Sequence, residues 1–470
     1  MLLPPETITD ETWATRQIAN MPLSRLHLSI FVICALALFF DGIELTMSIV
    51  LGMVLGGDKA NSVSSPQAIG MVIGAAAIGG AFGAVLLGRY ADSHGRRYAC
   101  LVILLCASVT SIMTAFTHSL EQLALMRFVS GFFLGAMAPV MNVYLVDVLP
   151  AHNRARLMLL LVMASSLSAF ASPLLTRWFA ISQPFGLDGW RMVLLSGGIF
   201  GLVTTALFYL LLPESVRWLA GKKRNEEAQQ IVERFGKSRR LRRGSASDNA
   251  VQNLPDGAPL ASADTAQQFG ASNHTLWARV LLFCLLQFLV PWAMIGFLQL
   301  SGVVLMQRGY EMKQALTLLA YVGLGVPLGG LMGSLAVDYF RRRSVLIVCA
   351  LSNAAMGMLF ALTPSVIVAV IAGALFNMFV IVYFQVLMIY GAEFFPDAMR
   401  ATAVGGGYTF NRVAAFLAPT LLLPFLHNYG RLALFLVFGA CMLSSAALIY
   451  MFGPGRRVTD RLATAASTTL

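Results

Sequence analysis

Two carboxylates stand three residues apart inside the first long apolar run of the chain, residues 29–55. Asp41 lies 12 residues into that run, which corresponds to about 18 Å along a helix. Glu44 follows on the same helix face. Neighbouring carboxylates in a poorly hydrated site do not both ionise readily, and a proton carrier needs this property. A structural hydrogen-bonded pair is the alternative, and the spacing leaves open which of the two would carry a proton.

An arginine lies near the middle of another apolar run, residues 400–425. The guanidinium of Arg412 stays charged, and its planar fork suits a carboxylate. We therefore predict that Arg412 binds an anionic substrate. An internal ion pair of Arg412 with Asp41 or Glu44 is the alternative, and both arrangements could occur at different stages of one cycle.

Other polar and aromatic side chains in the apolar runs could line a cavity around these charges. Aromatic faces suit a ring, and amide groups fix its orientation. Taken singly, each such residue is more often a packing residue than a ligand. The predicted substrate-binding set beside Arg412 is Tyr408, Asn411, Gln287, Trp292, Tyr383 and Asn142.

These residues belong to a chain with the composition of a polytopic membrane protein. Of its 470 residues, 58% are hydrophobic and 12% are charged, which is too little charge to solvate a globule of this size. Spans of about 20 residues match the hydrocarbon core of a bilayer. We predict twelve transmembrane helices, at residues 29–55, 67–89, 98–117, 121–147, 155–177, 190–212, 277–304, 314–338, 344–362, 364–392, 400–425 and 430–452.

The net charge of +11 is distributed unevenly between the predicted spans. Basic residues gather in alternate connections, which is the positive-inside pattern. We therefore expect a multi-pass protein of the cytoplasmic membrane with both termini in the cytoplasm, and no nucleic-acid partner. The basic clusters are Arg96 and Arg97, Arg154 and Arg156, Lys222 to Arg224, Arg239 to Arg243, Arg341 to Arg343, Arg400, and Arg456 and Arg457.

One long polar segment, residues 213–275, divides the spans into two groups. Its first part indicates short amphipathic helices, and its part from Lys237 to Ser272 has the composition of a disordered linker. The predicted domains are a cytoplasmic N-terminal segment 1–28, a six-helix bundle 29–212, the cytoplasmic linker 213–275, a second six-helix bundle 276–453 and a cytoplasmic C-terminal tail 454–470.

The two groups of spans repeat with a fixed offset of 246 residues, which carries Asp92 to Asp338. One offset that holds over several loops and spans predicts two pseudo-symmetric bundles, related by an axis along the membrane normal, that enclose a cavity. The offset pairs Asp41 with Gln287, so proton binding is expected in the first half. The other matches are Arg96 with Arg342, Arg97 with Arg343, Asp147 with Glu393, Pro150 with Pro396, Arg154 with Arg400 and Pro173 with Pro419.

The connection between the second and third spans, residues 88–97, has the charged sequence GRYADSHGRR. It lies at the predicted cytoplasmic side, far from a mid-membrane cavity. We interpret it as a conformational latch, in which Asp92 pairs with an arginine or with the positive N-terminus of a neighbouring helix. The latch residues are Gly88, Asp92, Gly95, Arg96 and Arg97, with Asp338, Arg342 and Arg343 in the second copy.

Several of these motifs resemble signatures of the major facilitator superfamily. Residues 88–97 match its loop signature G-x-x-x-D-x-x-G-R-R, and Arg127 with Gly131 resembles its fourth-helix signature. Residues 213–218 match the P-E-S-x-R-W run of sugar and organic-ion porters, and residues 393–400 match the E-x-x-P-x-x-x-R that follows the tenth helix. The resemblance implies an all-α major facilitator fold.

Within the superfamily, the chain resembles the aromatic acid/proton symporters. Asp41, Gly42 and Glu44 match the D-G-x-D motif of their first helix, except that Glu44 replaces the second aspartate. Arg412, seven residues before Pro419, fits the eleventh helix of that group. This difference from the family motif at Glu44 affects the expected substrate more than the expected proton coupling.

The resemblance implies proton-coupled symport of a small organic acid, an aromatic carboxylate, by alternating access between the two bundles. Arg127 would take part in proton coupling, and a side chain that extends to the lipid headgroups is the alternative. The protein would be a monomer and not an enzyme, with no cofactor beyond the coupling ion H+. Its partners would be the substrate, protons and the bilayer. The alternative function is transport of a neutral or cationic solute, such as a sugar, a nicotinate-like vitamin or an organic cation.

Overall fold

Regular secondary structure is entirely helical in the part of the chain that the computed structural model describes, residues 18, 21, 23–57, 65–240, 273–395 and 397–453. Residues 241–272 of the predicted linker, the C-terminal tail and most of the N-terminal segment lie outside the described residues. The α-helices are α1 (Arg25–Gly57), α2 (Pro66–His94), α3 (Arg96–Ala115), α4 (Leu120–Val148), α5 (Ala151–Ser166), α6 (Ser168–Ser182), α7 (Gly189–Leu211), α8 (Val216–Gly221), α9 (Asn225–Arg240), α10 (Asn273–Gln307), α11 (Met312–Gly323), α12 (Gly325–Tyr339), α13 (Arg342–Leu362), α14 (Val366–Phe394) and α15 (Asp397–Phe452).

Eleven helical segments of the described residues are long and apolar enough to cross a membrane, where the sequence predicts twelve. The difference arises in α15, which contains both of the last two predicted spans, 400–425 and 430–452. Gly430 separates them with φ 78° and ψ 175°, a conformation that glycine adopts at little cost and other residues rarely adopt. The last two spans are therefore joined at a single residue and not by a loop.

Two of the predicted spans are each built from two helices. The span 314–338 is interrupted at Leu324, between α11 and α12. Pro327, three residues later, has no backbone N–H to donate to the carbonyl of Gly323. The span 155–177 is interrupted at Leu167, where the hydroxyl of Ser166 donates to the carbonyl of Val162. Such side-chain bonds to the preceding turn bend helices.

The chain forms two compact units. In the first unit α3 packs against α4 and α7, and in the second unit α13 packs against α14 and α15. The predicted division of the chain at residues 213–275 remains a prediction. The first unit comprises Met1–Met47, Ala75–Ser168 and Ile181–Asn273, and the second comprises Ser48–Gly74, Ala169–Ala180 and His274–Leu470.

Close helix packing in the first unit depends on glycines of α2 and α4. A Cβ atom on Gly83 would collide with the backbone carbonyl of Phe132, and one on Gly131 would collide with the backbone of Ala76. Small residues at such a contact let two helix backbones approach each other, which stabilises helix pairs in lipid through van der Waals packing. The seam between α2 and α4 is therefore sterically closed to larger side chains.

The core of the second unit contains a cluster of five phenylalanine rings from α10, α13, α14 and α15. The ring centroids of contacting pairs lie 4.1–6.4 Å apart, in tilted and edge-to-face arrangements. Such geometries are favoured by the aromatic quadrupole and add to packing. The five rings are those of Phe297, Phe360, Phe376, Phe435 and Phe438.

Candidate functional site

The first unit contains an ion pair between α1 and α4 that is almost completely buried. Nη1 of Arg127 lies 2.9 Å from Oε2 of Glu44, and both side chains are 1% exposed. Nη2 of Arg127 also donates to the main-chain carbonyl of Glu44, at 3.0 Å. The arginine therefore contacts α1 through both side chain and backbone. Its side chain is directed into the first unit and not to the surface of that unit.

The second carboxylate oxygen of Glu44 also has a hydrogen-bond partner. The hydroxyl of Ser111 on α3 lies within hydrogen-bonding distance of Glu44 Oε1. The same hydroxyl lies 2.9 Å from the carbonyl oxygen of Leu194 on α7. Side chains from α3 and α4 therefore contact one carboxylate of α1, and α7 is connected to it through the Ser111 hydroxyl. Such partners compensate a buried charge away from water.

Asp41 lies one turn before Glu44 on α1 and is 5% exposed. The next residue, Gly42, faces α5, because a Cβ there would lie 2.7 Å from the carbonyl oxygen of Ser165. The three predicted proton-coupling residues, Asp41, Glu44 and Arg127, are thus all buried in the first unit. Ser111 is not among the predicted site residues, because the sequence shows it only as a hydroxyl residue within an apolar run.

The second unit contains the other predicted charge. The guanidinium carbon of Arg412 lies 5.0 Å from the ring centre of Tyr408, one turn earlier on α15. Its Nε is buried without a hydrogen-bond partner. No salt bridge to Arg412 occurs among the described residues. An arginine in an apolar helix that has no acidic partner in the described part of the chain can bind an anionic ligand.

The residue before Arg412 in the sequence, Asn411, connects α15 to α10 through its side-chain amide. Nδ2 of Asn411 donates to Oε1 of Gln287 on α10 at 3.1 Å, and both side chains are buried. Gln287 also approaches the sulfur of Met388 on α14, at 3.5 Å. The predicted substrate-binding residues thus form two contacting pairs, Arg412 with Tyr408 on α15 and Asn411 with Gln287 between α15 and α10.

The other three residues of the predicted substrate-binding set have different surroundings. Tyr383 is fully buried, and its hydroxyl contacts Ser445. Trp292 is half-buried and packs edge-to-face on Phe288, with the ring centres 6.1 Å apart. Asn142 has an exposed side chain on α4. The substrate-binding roles of Tyr383, Trp292 and Asn142 therefore remain predictions.

Two acids from outside the charged run contact the predicted latch: Asp147 contacts Arg96, and Glu214 accepts a hydrogen bond from the backbone nitrogen of Arg97. Asp147, at the end of α4, forms an ion pair with Arg96 and lies 3.7 Å from Nη1 of Arg217. The hydroxyl of Ser215 donates to Asp147 Oδ2 at 2.8 Å. Burial, followed by the charge of Arg217, lowers the pKa of the neighbouring Arg154 guanidinium. The P-E-S-x-R-W run therefore supplies contacts for both Asp147 and the start of α3.

Within residues 88–97, the predicted anchor Asp92 contributes through its backbone. Its carbonyl accepts a hydrogen bond from Nε1 of Trp218 at 3.0 Å, while its side chain is exposed. Among the described residues its carboxylate makes no hydrogen bond or ion pair. Gly88 is half-buried in α2, and Gly95 is buried with φ 108° just before α3.

One contact of the latch occurs in both halves of the sequence. Nη2 of Arg97 donates to the carbonyl of Tyr209 at 2.6 Å, and its guanidinium lies 5.7 Å from the same ring. Arg343 makes the same two contacts with Tyr450, with 5.7 Å to the ring. The tyrosines share the spacing Y-x-x-x-P with Pro213 and Pro454, a signal that the sequence analysis missed. Arg342 is half-buried at the start of α13, and the Asp338 side chain lies outside the described residues.

Comparison with known proteins relates the chain to membrane transporters. A family model described as "Sugar (and other) transporter" matches residues 30–456. The gallate transporter of Pseudomonas putida is 27% identical over 396 residues, which cover 82% of this chain and 83% of that protein. The niacin transporter NiaP of Acinetobacter baylyi is 24% identical over 447 residues, which cover 93% and 96%. The inward-open structure of the xylose transporter XylE from E. coli has a TM-score of 0.69 at 17% identity, and the match covers 92% of this chain and 97% of that one.

Proposed function

The chain belongs to the Sugar (and other) transporter family, within the major facilitator superfamily, and we propose that it is a proton-coupled symporter for a small aromatic carboxylate. Membership makes the protein a multi-pass membrane transporter and not an enzyme. The chemical class of the solute, the coupling to protons and the location in the cytoplasmic membrane are the proposal.

The observation that carries the proposal is the arginine of α15 that has no acidic partner in the described part of the chain. Arg412 lies over the ring of Tyr408, and the preceding residue, Asn411, is hydrogen-bonded to Gln287. A carboxylate would satisfy the guanidinium with charge-assisted hydrogen bonds. Tyr408 would offer its ring to the ring of the solute. The names of two relatives support the same class of solute, because gallate and niacin are both aromatic carboxylic acids.

The coupling proton is assigned to the carboxylates of α1. A proton that neutralised Glu44 would weaken its attraction for Arg127, and the loss of this buried pair would alter the contact between α1 and α4. Asp41, one turn earlier and also buried, is the second candidate for the same proton. Binding of a proton and a carboxylate together would remove the net charge from the two sites, and this would allow them to move through apolar surroundings.

The decisive experiment is uptake of labelled benzoate by proteoliposomes under an imposed pH gradient. We expect gradient-driven uptake in the parent protein and its loss in Asp41→Asn or Glu44→Gln. Arg412→Gln should raise KM by about tenfold to a hundredfold, since hydrogen bonds to charged groups contribute about 1.5–3 kcal/mol. Tyr408→Phe keeps the ring and is the matched control. Undiminished gradient-driven uptake in both carboxylate variants would exclude the proton assignment.

A neutral or cationic solute is the second candidate, favoured by the P-E-S-x-R-W run that the chain shares with sugar porters. Competition of benzoate uptake by charged and uncharged analogues distinguishes the two. Equal competition by benzamide and by benzoate would favour the second candidate and leave Arg412 a structural role. Counterflow of preloaded substrate should occur in either case, whereas a receptor that binds without transporting would show none.

A further inference from the structure

A cavity of about 370 Å³ opens in the second unit, away from the cluster around Arg412. It lies between the end of α6, the start of α11 and the start of α14. Its polar lining includes Arg177, Tyr310, Lys313 and Gln314, and its apolar lining includes Leu318 and Val366. The volume falls within the range of small-molecule sites, about 300–1,000 Å³.

The lining carries two positive charges and no carboxylate. Arg177 and Lys313 are both exposed, and neither side chain has a hydrogen bond or an ion pair among the described residues. Glu311, the acid nearest to Lys313 in the sequence, has an exposed side chain and does not line the cavity. The local field is therefore that of two uncompensated cations.

A third cation lies close to this lining. Arg308 stacks on the ring of Phe360 at 4.9 Å and has one hydrogen bond, at 3.4 Å, to the carbonyl of Thr363. Its Nε and Nη2 are buried without hydrogen-bond partners. Burial and then the charge of Arg431 lower the pKa of Arg308, while Tyr310 opposes this change. Arg308 adds to the positive potential and does not neutralise it.

We propose that this cavity is a second anion site, which takes the carboxylate of a small organic acid between Arg177 and Lys313 while Leu318 and Val366 contact its apolar part. The Tyr310 hydroxyl and the Gln314 amide can donate further hydrogen bonds. The inference rests on the proposed function for the class of its ligand. Its residues lie at helix ends that the charge pattern assigns to the side opposite the basic clusters, where a solute would arrive.

A site of exposed cations should act mainly on the rate of capture. Charges at the rim of a binding surface change association rates and their dependence on salt more than they change final affinity. Arg177→Gln with Lys313→Gln should therefore lower kcat/KM for benzoate by about fivefold at low ionic strength, which corresponds to about 1 kcal/mol for two exposed charges. The loss should shrink at high ionic strength because salt screens exposed charges, and kcat should stay unchanged.

The test combines binding and transport by the full-length protein. Equilibrium dialysis of the purified protein with labelled benzoate at low ionic strength should give two sites per chain. Arg177→Gln/Lys313→Gln should weaken one of them by about fivefold, and Arg412→Gln should weaken the other. Lys313→Arg keeps the charge and should keep the affinity of both sites. Arg234→Gln, which removes an exposed cation of α9, controls for net charge and should change neither affinity.

Unchanged benzoate affinity at both sites and unchanged salt dependence in the double variant would overturn the inference. A second outcome would also overturn it. If the double variant changed stability in phosphatidylglycerol nanodiscs but left benzoate binding unchanged, the cavity would bind lipid and not the solute. Failure of the proposed function has a different signature: the parent protein would transport no benzoate, or Arg412→Gln would transport it normally. Equilibrium dialysis measures benzoate binding at the cavity in either case, because it does not depend on transport.

Discussion

The carboxylate of Glu214 caps the helix that begins at Arg96, because Glu214 Oε1 accepts a hydrogen bond from the backbone nitrogen of Arg97 at 2.9 Å. The same oxygen accepts from the backbone nitrogen of Ser215, also at 2.9 Å. The first N–H groups of a helix lack partners within the helix, and an acid placed there also interacts favourably with the helix dipole. A residue 117 positions downstream thus fixes the start of α3.

Replacement of Glu214 should destabilise the first unit. Loss of a helix cap costs about 0.5–2 kcal/mol, so Glu214→Ala should lower the midpoint of thermal unfolding of the purified protein in detergent. Glu233→Ala removes an exposed acid on α9 and is the matched control. Equal midpoints for the two variants would contradict the capping role.

The glycine before this helix should be coupled to the same carboxylate. Gly95 has φ 108°, and a Cβ atom there would lie 2.6 Å from Oε2 of Glu214. Gly95→Ala should therefore cost more in the parent protein than in the Glu214→Ala background, where the backbone strain remains but the collision is gone. A double-mutant cycle of unfolding midpoints measures the coupling. Strict additivity would show that Glu214 does not occupy the space beside Gly95.

The buried ion pair between Glu44 and Arg127 should show opposite effects for single and double replacements. Glu44→Gln or Arg127→Gln alone leaves one buried charge without its partner, at a cost of about 3–5 kcal/mol. The double variant should recover most of that stability while still failing to couple uptake to the pH gradient. Glu227→Gln, which breaks the exposed pair of Glu227 with Arg224, should change stability by less than about 1 kcal/mol. Single variants as stable as this control would contradict the burial argument.

Two glycines of α2 should respond in opposite ways to the same substitution. Gly83→Ala directs a Cβ atom into the backbone carbonyl of Phe132, so the seam between α2 and α4 must open, at a cost of about 1–3 kcal/mol. Gly88 has nothing within 4 Å of a Cβ atom. Gly88→Ala should therefore be neutral or stabilise by up to about 1 kcal/mol. Thermal unfolding of both variants tests the contrast, and a loss of stability at Gly88 equal to that at Gly83 would refute it.

The helices could be predicted from the sequence because each span is a long apolar run, and hydropathy is a property of the run alone. The interruptions within these helices are harder to predict from the sequence. The break at Leu324 depends on Pro327, which is visible in the sequence but is tolerated inside many membrane helices. The sequence predicts the boundary between the last two spans within residues 425–430, but the absence of a loop there depends on the backbone conformation of Gly430.

The partners of the charged residues could not be predicted in the same way. Local spacing pairs Glu44 with Asp41, because residues three apart share a helix face. The partner that the structure shows, Arg127, lies 83 residues away and meets Glu44 only after α1 and α4 pack. Asp92 is the predicted latch residue because it lies within the charged run. The acids that contact Arg96 and Arg97, Asp147 and Glu214, lie far from that run in the sequence.

The position of Ser111 has a consequence for how α7 could respond to a proton. Its hydroxyl carries one hydrogen but lies between two acceptors, the Glu44 carboxylate and the Leu194 carbonyl. When Glu44 is ionised, the hydrogen is directed to the carboxylate. A protonated Glu44 would instead donate to the hydroxyl oxygen, and the hydroxyl would then turn toward the carbonyl of Leu194. The direction of the Ser111 O–H bond would thus depend on whether Glu44 on α1 is protonated, and α7 would gain or lose a hydrogen bond accordingly. The infrared stretching frequency of an isotope-labelled carbonyl at Leu194 would measure this change.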